Sequence, residues 1–242
     1  MSFLYFFRHG QAGTRDNYDA LSPIGEQQAA ELGRYLASER IEFRAAYSGA
    51  MQRQRATAAG VAEAYRALGA PFPEVEINGA LNEFDLEHVY SEMAPLLARD
   101  DPNFRREYDA LLEQVRLSAG SPEAEVHRRW SPCDIQVVES WIRSRYPYSG
   151  ESWDAFRARV GSCRPVLNGG GAEGNIAIFT SATPTAIWTG LALDIADFRI
   201  LPLAGALHNT AITILRLRGE QLRLFSFNGI PHLKDAELRT FR

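Results

Sequence analysis

Five consecutive apolar residues, Phe3-Leu4-Tyr5-Phe6-Phe7, run straight into Arg8-His9-Gly10-Gln11. An apolar run this short, ended by a glycine, predicts a buried strand. An imidazole and a guanidinium then fall at the carboxyl end of that strand, where open α/β sheets form their ligand crevices. Arg-His-Gly by itself is a commonplace tripeptide. Its weight comes from the segments that follow it.

Ser22-Pro23 offers an N-cap and a proline at the first helical position, and Ala29, Leu32 and Leu36 give the helix one apolar face. Arg44–Ser48 reads as a second strand, and Met51 to Leu68 as a second helix through Ala58, Val61, Ala62, Tyr65 and Leu68. Pro71 and Pro73 precede a short strand at Glu74–Ile77. From about Phe84 to Tyr148 the alternation stops and the chain turns helical and polar. Asp101-Pro102, Ser121-Pro122 and Ser131-Pro132 are helix starts there, the first leading to Phe104, Tyr108, Leu111 and Val115, the last to Val137, Val138, Trp141 and Ile142. A helix from Glu151 to about Leu167, bent or ended by Pro165, resumes the alternation, with Trp153 in its core face. After punctuation from Asn168 to Gly174 come a strand at Asn175–Thr180, a helix at Pro184–Leu193 and a strand at Thr210–Arg216. Arg218-Gly219-Glu220 turns that strand into Leu222–Phe227 as a hairpin. The expectation is one domain over 1–242, a three-layer α/β sandwich. Its sheet should be mainly parallel with an antiparallel strand near the C-terminus, and a helical cap insertion at about 84–150 should roof the crevice and set substrate choice.

Lys and Arg total 26 against 30 Asp and Glu, a net charge of −4, so the basic footprint of a nucleic-acid binder is missing. Any anion must be met by local arginines. Cys133 and Cys163 make no disulfide framework, and no Cys/His spacing suggests a metal. No stretch has membrane-spanning length, and the N-terminal apolar run is too short for a signal-peptide core. A cytoplasmic protein with no metal, cofactor, membrane or nucleic-acid partner is expected.

A second phosphate-like junction lies at Ser48-Gly49-Ala50-Met51-Gln52-Arg53, again small residues after a strand and then a helix start. Helix starts and Arg forks both attract phosphate oxygens. Arg55 reads as a solvated helix residue, whereas Arg53 gains meaning from Arg8.

Taken in order, these segments resemble the histidine phosphatase superfamily, the phosphoglycerate-mutase-like proteins. Arg8-His9-Gly10-Gln11 matches the family's opening motif. Leu21-Ser22-Pro23-Ile24-Gly25 through Gln28-Ala29 matches its Leu-Thr/Ser-x-x-Gly stretch, and Ser48 through Arg53 to Thr57-Ala58 its arginine motif. Leu81-Asn82-Glu83-Phe84 fits the segment carrying the family's acid, and Gly150-Glu151-Ser152 and Asn228 to His232-Leu233 look like later landmarks. The resemblance implies a metal-independent phosphatase acting on a phosphorylated small molecule or phosphopeptide. His9 would be the nucleophile, Arg8 and Arg53 the phosphate clamps and Glu83 the acid, with Asp85 and Glu87 as rival carboxylates. Gly10 would let the backbone approach the phosphate, beside Gln11.

One departure stands out. Where the family carries a second histidine, this chain reads Ser181-Ala182-Thr183-Pro184. By analogy with one lost transition-state donor, the deficit would be about 3–4 kcal/mol unless it is compensated. Ser181, the backbone at Ala182 and Thr183, and His208 are the available substitutes, although His208 also reads as an ordinary loop histidine. The rival functions are mutase-type phosphoryl transfer and a non-catalytic phosphate-binding scaffold. His88 and His127 have no partner spacing and read as surface residues, and His232 as a residue that orders the C-terminal tail.

Overall fold

The computed structural model describes residues 2–13, 19–118, 121, 124–128, 130–164, 173–219 and 221–241, without the side chains of residues 127 and 128. Pro122, the His127 side chain, Pro165 with the far end of the Glu151–Leu167 helix, most of the 168–174 punctuation and Glu220 lie outside the described residues.

Six strands form one sheet: β1 (Ser2–Arg8), β2 (Ala45–Ser48), β3 (Val75–Ile77), β4 (Gly174–Thr180), β5 (Ile212–Arg218) and β6 (Gln221–Gly229). Their spatial order is β3-β2-β4-β1-β5-β6. The first four in that order run parallel, β5 is antiparallel to β1, and β6 is antiparallel to β5. The apolar opening run is therefore a central strand. Its register sets Arg8 beside Thr180 on β4 and Phe7 beside Ile212 on β5.

A central strand is covered on both faces, which is why it carries no polar alternation. Phe7 joins Leu32 and Leu36 of α1 (Pro23–Ser38) and Ala58, Val61 and Tyr65 of α2 (Gln52–Ala67) in one buried cluster. Phe6 faces the other way, its ring 5.6 Å from Trp188. The Ser22 hydroxyl caps α1 by accepting from Gly25 N, as the Ser-Pro signal predicts.

The chain divides into two compact units, residues 1–83 with 159–241, and residues 84–158. The second unit runs from Phe84 to Ala158. It contains α3 (Leu86–Asp100), α4 (Pro102–Leu117), α5 (Glu125–Arg128) and α6 (Pro132–Ile142). Phe84, Trp141, Trp153 and Phe156 make its aromatic core. α6 begins with a capping box in which Ser131 and Asp134 satisfy each other's backbone. His88 corrects the expectation of an unpartnered surface histidine, since its Nε2 lies 2.8 Å from Glu92 Oε1, one helical turn on.

Further along the chain come α7 (Trp153–Gly161), α8 (Ala182–Leu193) and α9 (Ile200–Ala206). α8 starts two residues before Pro184, because a proline in the first turn removes an N–H that no intrahelical carbonyl needs. Pro202 and Gly205 concealed α9 from the sequence pattern. Thr210, read as the first residue of a strand, instead sits in a turn before β5. Among the described residues, no helix is long and apolar enough to cross a membrane.

Candidate active site

β1 ends at Arg8 because the next three residues are bound by three different elements. His9 N donates to Thr180 O at the end of β4 (2.9 Å), Gly10 N to Thr57 Oγ1 on α2 (2.9 Å), and Gln11 N to Gln28 Oε1 on α1 (2.8 Å). Gly10 has no room for a side chain: a Cβ there would lie 2.5 Å from Gly25 O, and one on Gly25 would lie 2.2 Å from Gln11 O. The sequence suggested close approach to phosphate as the reason for this glycine. The packed backbones of the opening loop and α1 supply a separate one.

From the opposite side, Thr210 N reaches Arg8 O (3.1 Å) and His9 O (3.3 Å), and Asn209 Nδ2 donates to His9 O (3.2 Å). Thr210 holds φ at +55°, a left-handed conformation that a β-branched residue adopts only under constraint. Its N–H bonds to Arg8 O and His9 O are that constraint.

His9 is 2% exposed, and its Nδ1 lies 2.7 Å from Gly10 O. A carbonyl only accepts, so Nδ1 carries the hydrogen and Nε2 keeps its lone pair. Arg53 Nε donates into that lone pair at 3.2 Å. Burial, then Arg53 and Arg8, hold the His9 pKa well below 6.5, against an opposing pull from the Gly10 bond. The ring is therefore neutral at neutral pH, with its bare nitrogen against a guanidinium.

Arg53 is 5% exposed and Arg8 4%. Arg53 Nη1 also donates to Asp19 Oδ1 (2.8 Å), while Asp19 Oδ2 accepts from Gln52 N (3.0 Å) at the start of α2. Asp19 thus sets a carboxylate on the group expected to clamp phosphate, and the sequence motifs gave no hint of it. Arg8 Nη1 donates to Leu207 O. Gln11 Oε1 accepts from Ser22 Oγ (2.8 Å), which leaves the amide nitrogen as its donating end.

Glu83 Oε2 accepts from Thr183 N (3.1 Å), which fixes the carboxyl against the first turn of α8. The rival carboxylates have other surroundings: Asp85 caps α3 by accepting from His88 N (3.0 Å), and Glu87 is exposed. Gln54 Nε2 donates to Ser181 Oγ (2.8 Å), so the Ser181 hydrogen is the end left to donate elsewhere. Gln54, buried and adjacent to Arg53, was not singled out from the sequence.

His208 is placed differently from its expected role as a substitute donor. Asn228 Nδ2 donates to Ala206 O (2.7 Å), which fixes the amide so that Oδ1 faces His208 N (2.9 Å) and Nδ1 (3.3 Å). Nδ1 therefore carries the hydrogen, and neutral His208 presents only a lone pair at Nε2. Burial lowers its pKa, partly offset by the Asn228 bond, with Arg8 and Arg239 lowering it further. A neutral ring with a bare nitrogen repels phosphate oxygens, so His208 is a poor donor at neutral pH. His232 behaves as expected of a tail anchor, its Nε2 lying 2.9 Å from Thr210 Oγ1.

Among the described residues, no group of three or more His, Cys, Asp or Glu side chains could hold a metal ion. The model of the histidine phosphatase superfamily (branch 1) matches residues 4–140, more than half of the chain and inclusive of His9, Arg53 and Glu83. The chain belongs to the histidine phosphatase superfamily. Solved structures with this fold include a phosphoserine phosphatase mutant from Entamoeba histolytica in complex with phosphoserine, at TM-score 0.61 and 18% identity, covering 96% of this chain and 100% of that one. YhfR of Bacillus stearothermophilus aligns at TM-score 0.62 and 16% identity over 97% and 100% of the two chains. A phosphoglycerate mutase from Bacillus anthracis aligns at 0.58 and 15%, over 96% and 95%. At such identities the likeness establishes the fold. No curated protein sequence matches the chain. Set in the histidine phosphatase fold, Ala182 is the first residue of α8, directly after the β4 end that receives the His9 N–H.

Proposed function

We propose that the protein is a metal-independent phosphomonoester hydrolase that works through a phosphohistidine at His9. The observation that carries this is the His9 tautomer. A neutral imidazole with its hydrogen fixed on Nδ1 by Gly10 O and its Nε2 lone pair beside Arg53 is a nucleophile ready for in-line attack. In the first step Nε2 forms a bond to phosphorus as the ester P–O bond breaks, and the departing alkoxide takes the Glu83 proton. In the second, water attacks the phosphoryl group, Glu83 takes its proton, and the P–N bond breaks to return neutral His9. Arg8 and Arg53 neutralise the equatorial oxygens throughout, which is most of what phosphoryl transfer asks of a protein.

Substrate phosphate has to displace two contacts in this scheme, Arg53 Nε from His9 and Arg53 Nη1 from Asp19. The missing second histidine is compensated by the Ser181 hydroxyl, which Gln54 orients, together with the Ala182 N–H. Thr183 N is already engaged with Glu83 and His208 is in the wrong tautomer. A phosphorylated small molecule or phosphopeptide in the cytoplasm is the substrate in this proposal. The scaffold alternative draws on Ala182 alone, and a neutral, correctly protonated nucleophile argues against it.

The test is turnover of phosphomonoesters in the presence of chelator, with acid-labile phosphate trapped on the wild type and missing from His9→Ala. A His9→Ala protein that keeps most of its activity would mean direct attack by water and would overturn the mechanism. Failure of every ester to turn over, with phosphate still bound, would favour the scaffold.

A further inference from the structure

The short segment that delivers Glu83 has no regular partner. Gly79–Leu81 is a single 3-10 turn, and Glu83 follows it two residues later, after Asn82 in extended backbone. Within that turn Gly79 O accepts from Asn82 N (3.1 Å), while Ala80 O and Asn82 O meet no backbone donor of a helix or sheet among the described residues. One side chain from far along the chain meets them. Arg159 Nη1 lies 3.1 Å from Gly79 O, 3.3 Å from Ala80 O and 3.2 Å from Asn82 O. Asn82 is braced from another side, its Oδ1 accepting from Ala50 N just before α2. Leu81 O accepts from Thr180 Oγ1 (2.6 Å) and Gln54 Nε2 (3.3 Å).

We propose that Arg159 is a positioning residue for Glu83: its guanidinium gathers the carbonyls on either side of Leu81 and so fixes where the Glu83 carboxyl stands. A charged donor at a convergence of carbonyls forms stronger bonds than neutral ones, and a planar guanidinium holds direction as well as charge. The peptide joining Asn82 O to Glu83 transmits that constraint directly. Thr183 N fixes the carboxyl end of the side chain, and Arg159 fixes the backbone end. General acid catalysis needs the proton within hydrogen-bond reach of the leaving oxygen, so a displacement of about 1 Å can cost about 10²-fold in rate. Arg159 does not touch substrate in this assignment. It acts through Glu83, and the assignment rests on Glu83 as the proton donor.

The experiment compares wild type, Glu83→Gln, Arg159→Gln, Arg159→Lys and the Glu83→Gln/Arg159→Gln double variant on two esters. Glycerol 2-phosphate needs a proton on its leaving oxygen, and p-nitrophenyl phosphate needs it far less. Arg159→Gln is expected to lower kcat on glycerol 2-phosphate by about 10- to 100-fold, and several-fold less on the aryl ester, with KM little changed. Arg159→Lys should recover part of the loss. In the Glu83→Gln background, removing Arg159 should add little, because the step it supports is already gone. Urea unfolding of each variant separates this pattern from a general loss of fold. Equal losses by Arg159→Gln on both esters, or the full fold-loss repeated on top of Glu83→Gln, would make Arg159 a structural residue and overturn the assignment. If Glu83→Gln discriminates between the esters and Arg159→Gln does not, the acid stands and only the assignment falls. If Glu83→Gln itself treats the two esters alike, both fall together.

Discussion

Acid should weaken this fold through His232, and the amount follows from its hydrogen bonds. Thr210 Oγ1 donates to Asn209 O (2.8 Å), so in its contact with His232 the hydroxyl oxygen accepts and the ring Nε2 carries the hydrogen. Nδ1 is then a bare nitrogen, buried with no hydrogen-bond partner. A proton added there would be a buried charge with nothing to accept it. Burial accordingly pushes the His232 pKa from 6.5 down to about 4, with Glu31 pulling weakly the other way. As pH falls through 6.5 the unfolded chain takes up this proton and the folded protein refuses it until about pH 4. Acidification therefore favours unfolding across that window and adds nothing more below it. At about 1.4 kcal/mol per pH unit the ceiling is roughly 3 kcal/mol, and about 2.5 kcal/mol is lost by pH 4.5. His232→Gln keeps an amide donor toward Thr210 and removes the titration. Urea unfolding of both proteins at pH 7.5 and 4.5 should show the variant losing about 2.5 kcal/mol less than wild type on acidification. The other titrating groups are common to both proteins and cancel. Equal losses would mean that the folded state accommodates the His232 proton, and the account of its buried Nδ1 would be wrong.

Three further outcomes are expected. Asp19→Asn should tighten inhibition by inorganic phosphate about two- to fivefold, the gain suited to removing a half-exposed competitor for Arg53; weaker inhibition would assign Asp19 to holding Arg53 in place. Gly25→Ala should destabilise the protein by about 1–3 kcal/mol and lower Tm by several degrees in calorimetry, because its Cβ would meet the backbone of Gln11; an unchanged Tm would mean that the opening loop moves aside easily. Ser181→Ala should cut turnover by about 10²-fold while Ala182→His brings no gain; a rise in turnover with Ala182→His would show that the gap in the motif is not filled.

Most of what the sequence made legible was local. Ser22-Pro23, Asp101-Pro102 and Ser131-Pro132 each start a helix because capping is decided within four residues. Phe3–Phe7 is a strand because a short apolar run can be buried on both faces. The spatial order of strands was not legible, since β1 lies between segments about 170 and 210 residues further along, and pairing over such distances leaves no local pattern. The same division holds for the site. His9, Arg8, Arg53 and Glu83 stand in motifs of recognisable spacing. Asp19 and Arg159 are polar residues in unremarkable surroundings, and their roles exist only once Arg53 and the Gly79–Asn82 carbonyls are brought to them. His208 looked like a spare donor until Asn228 fixed its tautomer. His88 could have been anticipated, since Glu92 follows it at helical spacing.

The central place of β1 has a consequence for how the protein is made. Both of its neighbours come late: β4 begins at Gly174 and β5 ends at Arg218. At about 5–20 residues per second, a ribosome takes roughly 10–40 s to pass from β1 to the end of β5. For that interval Phe3–Phe7 is an apolar segment with unpaired edges and no sheet to join, the kind of stretch that sticks to other chains. α1 and α2 can pair early, but the loop carrying His9 has no floor until Thr180, Asn209 and Thr210 arrive. His9 is made well before Thr180, Asn209 and Thr210, so its surroundings close long after it has been synthesised.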